Sequence, residues 1–181
     1  MPLRQADVLR GAMELLDEVG LDELTTRRLA DRLGVRVGAL YWHYPSKTAL
    51  LDALVERIVD EILAEPLPEQ DWAGRLRELA VRARSTMLAH RDGARLVASF
   101  SVLPASAVAY FQALVDSLRT AGVPERDAEL GADLLTSFTN GFTLEEQARQ
   151  AKIWPRDRRD ETFLSELDIL INGIRVSLLE K

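Results

Sequence analysis

The chain has no cysteine, so neither disulfide bonds nor thiolate metal sites are open to it. Its two histidines, His43 and His90, lie far apart in sequence, which leaves a zinc site or a nucleophilic triad with little to work with. Nowhere do about 18 apolar residues run together, and the opening MPLRQADVLR is polar and charged. The expected location is the cytoplasm, with no membrane partner. No apolar/polar alternation of a strand is seen, and no internal repeat. His90-Arg91-Asp92-Gly93 superficially matches a kinase catalytic loop, but the glycine-rich phosphate loop and the DFG that should accompany it are missing. Aromatic residues are scarce at 6%, so the clustering of Tyr41, Trp42 and Tyr44 stands out.

Apolar residues at 47% suffice for a real core, and almost all fall on a helical period. Val8, Leu9, Ala12, Leu15, Leu16 and Val19 form a first stripe, stopped by Gly20. Two short helices follow, from about Thr26 to Leu33 and Arg36 to His43, with Thr25 or Thr26 as cap of the first. Pro45 breaks the chain and Ser46 is placed to cap a long helix, 46–63. Further helices are expected from Asp71 or Glu69 to near Gly93, then up to Gly122, then from Pro124 to about Lys152. The charged run RDRRDE after Trp154-Pro155 reads as a loop before a last helix with the seam Phe163, Leu167, Leu170, Ile174 and Leu178. The fold expected is all-α: a three-helix head over 1–45 and a larger helical body over 46–181, joined by helix 46–63.

Residues 25–51, TTRRLADRLGVRVGALYWHYPSKTALL, carry the functional signal. Leu29, Ala30, Leu33, Val35 and Leu40 make the apolar set that packs two crossed helices, and Gly34 supplies the sharp turn between them. This is the pattern of a helix-turn-helix that reads DNA. The overall charge of −6 does not oppose it, because residues 24–50 hold five cations against one acid. Residues 3–23 hold six acids against two arginines. A basic patch on an acidic body lets one face approach phosphate.

LYWHYPSKTALLDAL at 40–54 resembles the tetracycline-repressor family of one-component transcription regulators, close to its tetracycline-sensing subgroup. MELLDEVGLDELTTRRLADRLGV before it, HRDGARL at 90–96 and FTNGFTLEEQ at 138–147 extend the likeness, dense over the first 55 residues and collinear beyond. The resemblance implies a homodimer on a palindromic double-stranded DNA operator, and a pocket in the body that releases DNA when filled. It places Thr26, Arg27, Tyr41, Trp42, His43 and Lys47 at phosphate or in packing of the recognition helix. Arg36, Val37, Gly38 and Ala39 fall on the base-reading surface. Arg36 is suited to guanine, and Val37 or Ala39 to a thymine methyl. Arg28 joins the expected DNA-binding set, although Arg28 and Arg32 also read as a solvated helix face. Of the ring cluster, Tyr41 and His43 are expected at phosphate and Trp42 mostly in packing.

Drug-sensing members use histidines of the connecting helix and of the segment after HRDGA to hold a magnesium–tetracycline chelate. Here the aligned residues are Leu63 and Val97, the other polar contacts become Leu79 and Ser137, and only Glu145 keeps an acid. One carboxylate is a poor site for a hard cation. The expected effector is therefore a small, largely apolar molecule bounded by Leu63, Leu79, Ala83, Met87, Val97, Phe100, Phe138 and Phe142, with Glu145 nearby. The same residues read equally as ordinary core. Glu145 and Glu146 are adjacent on a helix and form no acid/base pair, while His90 is expected to cap a helix C-terminus. No enzyme activity, resident metal or cofactor is expected. Dimerisation is expected through helices 124–152 and 160–180 as a four-helix bundle. The alternative is a dimeric DNA-binding regulator without small-molecule control.

Overall fold

In the computed structural model residues 3–149 and 152–179 are described, and they contain nine α-helices and no strand. Among them no helix is long and apolar enough to cross a membrane.

α1 (Gln5–Val19) ends where Gly20 takes a φ of 83° and donates its N–H to Leu16. α2 (Thr26–Leu33) begins at Thr25, whose Oγ1 accepts the Arg28 N–H at 3.2 Å. Gly34, at φ 66°, turns the chain in the left-handed region, where a Cβ is disfavoured. α3 (Val37–Tyr41) is shorter than the expected Arg36 to His43. His43 and Tyr44 both donate backbone N–H groups to Leu40, tightening the exit. Leu16, Leu24, Leu29 and Leu40 are buried between these helices. α1 and α2 approach so closely that a Cβ on Gly11 would lie 2.8 Å from Leu33 Cδ2.

α4 (Lys47–Asp60) is capped by Ser46, which accepts the Ala49 N–H at 3.0 Å, and ends in a tighter turn, Glu61–Leu63. Its buried stripe, Leu50, Leu54, Val55, Ile58 and Val59, is shared between head and body. α5 (Trp72–Leu88), capped by Asp71, packs on α4, α7, α8 and α9. α6 (Gly93–Val97), α7 (Ala105–Thr120), α8 (Glu125–Ala148) and α9 (Arg156–Ile174) complete the body, α9 widening into a π-type turn at Arg175–Leu179.

Two expectations are corrected here. RDRRDE is not a loop: α9 starts at Arg156, directly after Pro155. Proline presets the first helical φ, Asp157 lies in the first turn where the helix dipole favours an acid, Arg156, Asp157, Arg158 and Glu161 are exposed, and Arg159 and Asp160 turn inward to Glu146 and Arg84. α8 ends at Ala148, short of Lys152; of the stretches 124–152 and 160–180, residues 150, 151 and 180 lie outside the described residues.

The body is pinned internally by a buried charge cluster. Arg84 on α5 donates Nε to Glu146 Oε2 at 2.7 Å and Nη2 to Oε1 at 2.8 Å, and Nη2 also reaches Asp160 on α9 at 2.6 Å. Arg159 adds a bond to Glu146 at 2.6 Å. Glu146 is 0% exposed and Arg84 8%. Its carboxylate partners hold the Arg84 guanidinium above its ordinary pKa, against the opposing effect of burial. The guanidinium lies 4.9 Å from the Phe163 ring centre, so cation–π attraction adds to the pairing.

The head is fastened to the turn between α5 and α6. Asp92 Oδ2 accepts the Leu21 N–H at 2.8 Å, Arg95 pairs with both oxygens of Asp22 at 2.6 and 2.9 Å, and Arg91 donates to Asp17 and to the Glu18 carbonyl. His90 Nδ1 lies 3.0 Å from Asp17, so it bridges the two halves instead of capping α5. The acids of residues 3–23 thus serve partly as docking points for body cations.

Candidate functional site

Two features stand out. The first is the exposed end of the head. Arg27 on α2, Arg36 at the start of α3 and Lys47 at the start of α4 are exposed and form no ion pair among the described residues. Arg28 is instead paired with Glu23 at 2.8 Å, and Arg32 with Glu14 and Glu18. Thr26, Ala39 and His43 are half-buried; Gly38 is exposed; Val37 packs partly against the core. The expectation that Trp42 packs is overturned: it is 90% exposed, and Tyr41 48%. The tightened exit of α3 swings Tyr44 into the core and leaves Trp42 outside. A 90% exposed indole leaves a flat apolar ring free to stack on a partner.

The second feature is a cavity of about 420 Å³ in the body. α4 contributes Val55, Ile58 and Val59, the tighter turn after it Ile62, and α5 contributes Ala83, Thr86 and Met87. Val97 of α6 and Phe100 and Leu103 of the loop that follows form another side. α7 supplies Ala107, Val108, Tyr110 and Phe111, and α8 supplies Thr136 and Asn140. Phe100, Leu103 and Val108 are exposed, marking the mouth. The mouth loop is tied to α4 at both ends. Asp52 Oδ1 accepts the Ser101 N–H at 2.8 Å, and Glu56 Oε1 accepts the Ser106 N–H at 3.1 Å. The Ser101 hydroxyl and N–H hold the Asp52 carboxyl below its usual range. Burial pushes the Tyr110 phenol well up, so it is neutral.

Of the residues expected around a ligand, Ala83, Met87, Val97 and Phe100 are on this wall. Leu63, Leu79, Phe138, Phe142 and Glu145 are not. Leu79 is wholly buried in the core. Phe138 and Phe142 face Phe163 of α9, at 5.7 and 5.1 Å between ring centres, filling the space between α8 and α9. Glu145 is turned outward, 3.3 Å from Arg149. Leu63 is half-buried beyond the end of α4. Sequence reasoning missed the α4 and α7 contributions and the α8 residues Thr136 and Asn140, Tyr110 of α7 and Asn140 being the polar ones of note. Their only signal was a polar group standing on an otherwise apolar helix face.

A helix-turn-helix head with unpaired cations, joined through one helix to a body holding an apolar cavity, defines a one-component DNA-binding regulator. Residues 8–54 match the family described as "Bacterial regulatory proteins, tetR family", and residues 65–160 match "Tetracyclin repressor-like, C-terminal domain". The chain is 41% identical over 152 residues to the tetracycline repressor protein class C of Escherichia coli, covering 82% of this chain and 68% of that protein. It is similar in structure to a variant of TetR from Acinetobacter baumannii AYE in complex with minocycline, with a TM-score of 0.84 and 36% identity over 96% of this chain and 97% of that one. It is also similar to BioQ bound to its natural double-stranded DNA operator, with a TM-score of 0.81 and 32% identity over 95% and 98% of the two chains. The protein belongs to the tetracycline-repressor family of DNA-binding transcriptional regulators, and its relatives are regulators, not enzymes.

Proposed function

We propose that this protein is a dimeric, ligand-responsive repressor that leaves a palindromic operator when a small, largely apolar molecule other than magnesium–tetracycline fills the cavity. One observation carries the reading: α4 is common to both features. Val55, Ile58 and Val59 form cavity wall, while the same helix packs on α1 of the head and presents Lys47 at its start. A ligand that displaces α4 displaces the head. Two recognition helices in successive major grooves need a separation of about 34 to 36 Å. A few ångströms of change, on the scale of an ordinary allosteric coupling of ~1 to 3 kcal/mol, is then enough to release DNA.

In this reading residues 1–45 form the DNA-binding unit and 46–181 the effector and dimerisation unit. Arg27, Tyr41, Trp42, His43 and Lys47 meet phosphate, with Thr26 beside them, and Arg36, Val37, Gly38 and Ala39 face the bases. The apolar groove between α8 and α9, where Leu134 and Ile169 are exposed, suits a second copy packed as a four-helix bundle. The residues present do not fit a magnesium–tetracycline chelate. Leu63 and Val97 offer no donor, Ser137 borders the α8/α9 groove, and Glu145 points away from the cavity toward Arg149.

The test is operator affinity, on a duplex selected from random sequence, with and without a panel of neutral apolar compounds and with magnesium–tetracycline. Release by at least one apolar compound and none by the chelate is expected. Release by magnesium–tetracycline would sink the effector reading, and no release by any compound would favour a regulator without small-molecule control.

A further inference from the structure

The cavity wall is mostly hydrocarbon, so its few polar groups carry the information about what it accepts. Four side chains on it bear one: Thr86, Tyr110, Thr136 and Asn140. Thr86 donates to the Ala83 carbonyl at 3.1 Å and Thr136 to the Ala132 carbonyl at 2.8 Å, so the proton of each hydroxyl is committed within its own helix. Tyr110 is different. It is 6% exposed, and its Oη, covered on every side, has no hydrogen-bond partner among the described residues. The Asn140 amide, half-buried on the same wall, also has no side-chain partner there.

Burying a hydroxyl without a partner destabilises a protein, because bonds to water are lost and nothing replaces them. A phenylalanine would fill the same space at no such penalty, as Phe100 and Phe111 do on the same wall. Tyr110 borders the cavity, so a ligand seated there that shifts the side chains covering the hydroxyl can supply the missing partner. The wall holds no carboxylate, imidazole, amine or guanidinium. A charged ligand would lose its hydration with no counter-charge in return.

We infer that the cavity selects a neutral, oxygenated hydrocarbon: an apolar skeleton with a carbonyl or ether oxygen that accepts from Tyr110, and a second neutral polar group matched to Asn140. This rests on the cavity being the effector site proposed above. Tyr110 is then the residue that separates an oxygenated ligand from a plain hydrocarbon of the same shape, and Asn140 sets the ligand's orientation.

Three probes of one shape test it on the full chain by calorimetry: 2-acetylnaphthalene, 2-isopropylnaphthalene and 2-naphthoate. Tyr110→Phe keeps the ring and removes only the hydroxyl. The ketone is expected to bind this variant about tenfold more weakly than it binds the parent protein, with the hydrocarbon unchanged and the naphthoate weakest in both. The ligand-free variant is expected to melt higher by roughly 2 to 4 °C, because an unsatisfied group is gone. Equal ketone affinity in both proteins, with the hydrocarbon still bound, would overturn the role of Tyr110 and leave the cavity as effector site. Tighter binding of the naphthoate would overturn neutrality. A lower melting temperature for the variant would show that the hydroxyl has a partner within the protein and overturn the inference too. No binding by any probe would overturn it together with the reading of the cavity.

Discussion

At the scale of single residues, pairing decides which cations are available to phosphate. Arg28 and Arg32 are tied to acids, whereas Arg27 and Arg36 form no ion pair among the described residues and Lys47 has only the longer-range attraction of Asp22. Arg27→Ala and Lys47→Ala are each expected to weaken binding to every duplex and to reduce the salt slope of affinity by about one. Arg28→Ala is expected to do less, since Glu23 already neutralises it. Arg36→Ala is expected to relax preference at one base pair, worth about 1 to 3 kcal/mol. Gel-shift titrations at several salt concentrations on a selected operator and on random DNA separate these outcomes. The buried cluster obeys a different rule. Glu146→Leu strands Arg84 and Arg159 without their shared carboxylate, and a loss of about 3 to 5 kcal/mol is expected. Joining Arg84→Met to it should recover part of that loss, because the uncompensated charge is removed as well. Urea unfolding of single and double variants measures the difference, and strict additivity would refute the coupling.

At the scale of elements, Gly34 and Gly38 form a matched pair on the reading motif. Neither would bring a Cβ within 4 Å of anything, but Gly34 has a φ of 66° while Gly38 lies inside α3. Gly34→Ala is therefore expected to cost about 1 to 2 kcal/mol, purely from the backbone. Gly38→Ala is expected to stabilise the protein by roughly 0.5 to 1 kcal/mol through helix propensity; chemical denaturation of the two variants should move in opposite directions. The same elements show what was legible from the chain. Gly20, Gly34, Ser46 and Pro155 punctuate it where the helices break, and the Thr26–Leu33 helix could be read to the residue, because caps and turns are local. RDRRDE misled because its composition is that of a polar loop, and nothing local in it shows that Arg159 and Asp160 pair with Glu146 and Arg84. The cavity was half legible for a reason of geometry. A stripe such as Leu79, Ala83 and Met87 shows that a face is covered, not by what, and Phe138 and Phe142 turn away only because Phe163 of α9 comes to meet them. Trp42 was misjudged for the same reason: which of four consecutive rings faces inward depends on how tightly α3 ends.

At the scale of the whole molecule, the cavity reaches the head by two routes. α4 is the first. The second is α6, where Val97 lines the cavity and Arg95, two residues earlier, grips Asp22 beside the reading motif. Asp92, immediately before α6, anchors this second route. It is the single described non-glycine residue with positive φ, at 58°, and its carboxylate accepts the Leu21 N–H. Asparagine tolerates that backbone and keeps an acceptor, whereas alanine offers neither. If α6 transmits ligand occupancy, Asp92→Asn should behave much like the parent protein. Asp92→Ala should bind an apolar ligand with unchanged affinity yet release less DNA in response, falling below the ~5- to 150-fold change in operator affinity typical of such coupling. The discriminating measurement is a pair of titrations on each variant, ligand alone and operator at saturating ligand. Loss of ligand affinity in Asp92→Ala would mean that the cavity itself had collapsed. An unchanged ligand response with intact affinity would leave α4 as the sole route, because the contact from α6 to the head would then hold the two units together without carrying the signal.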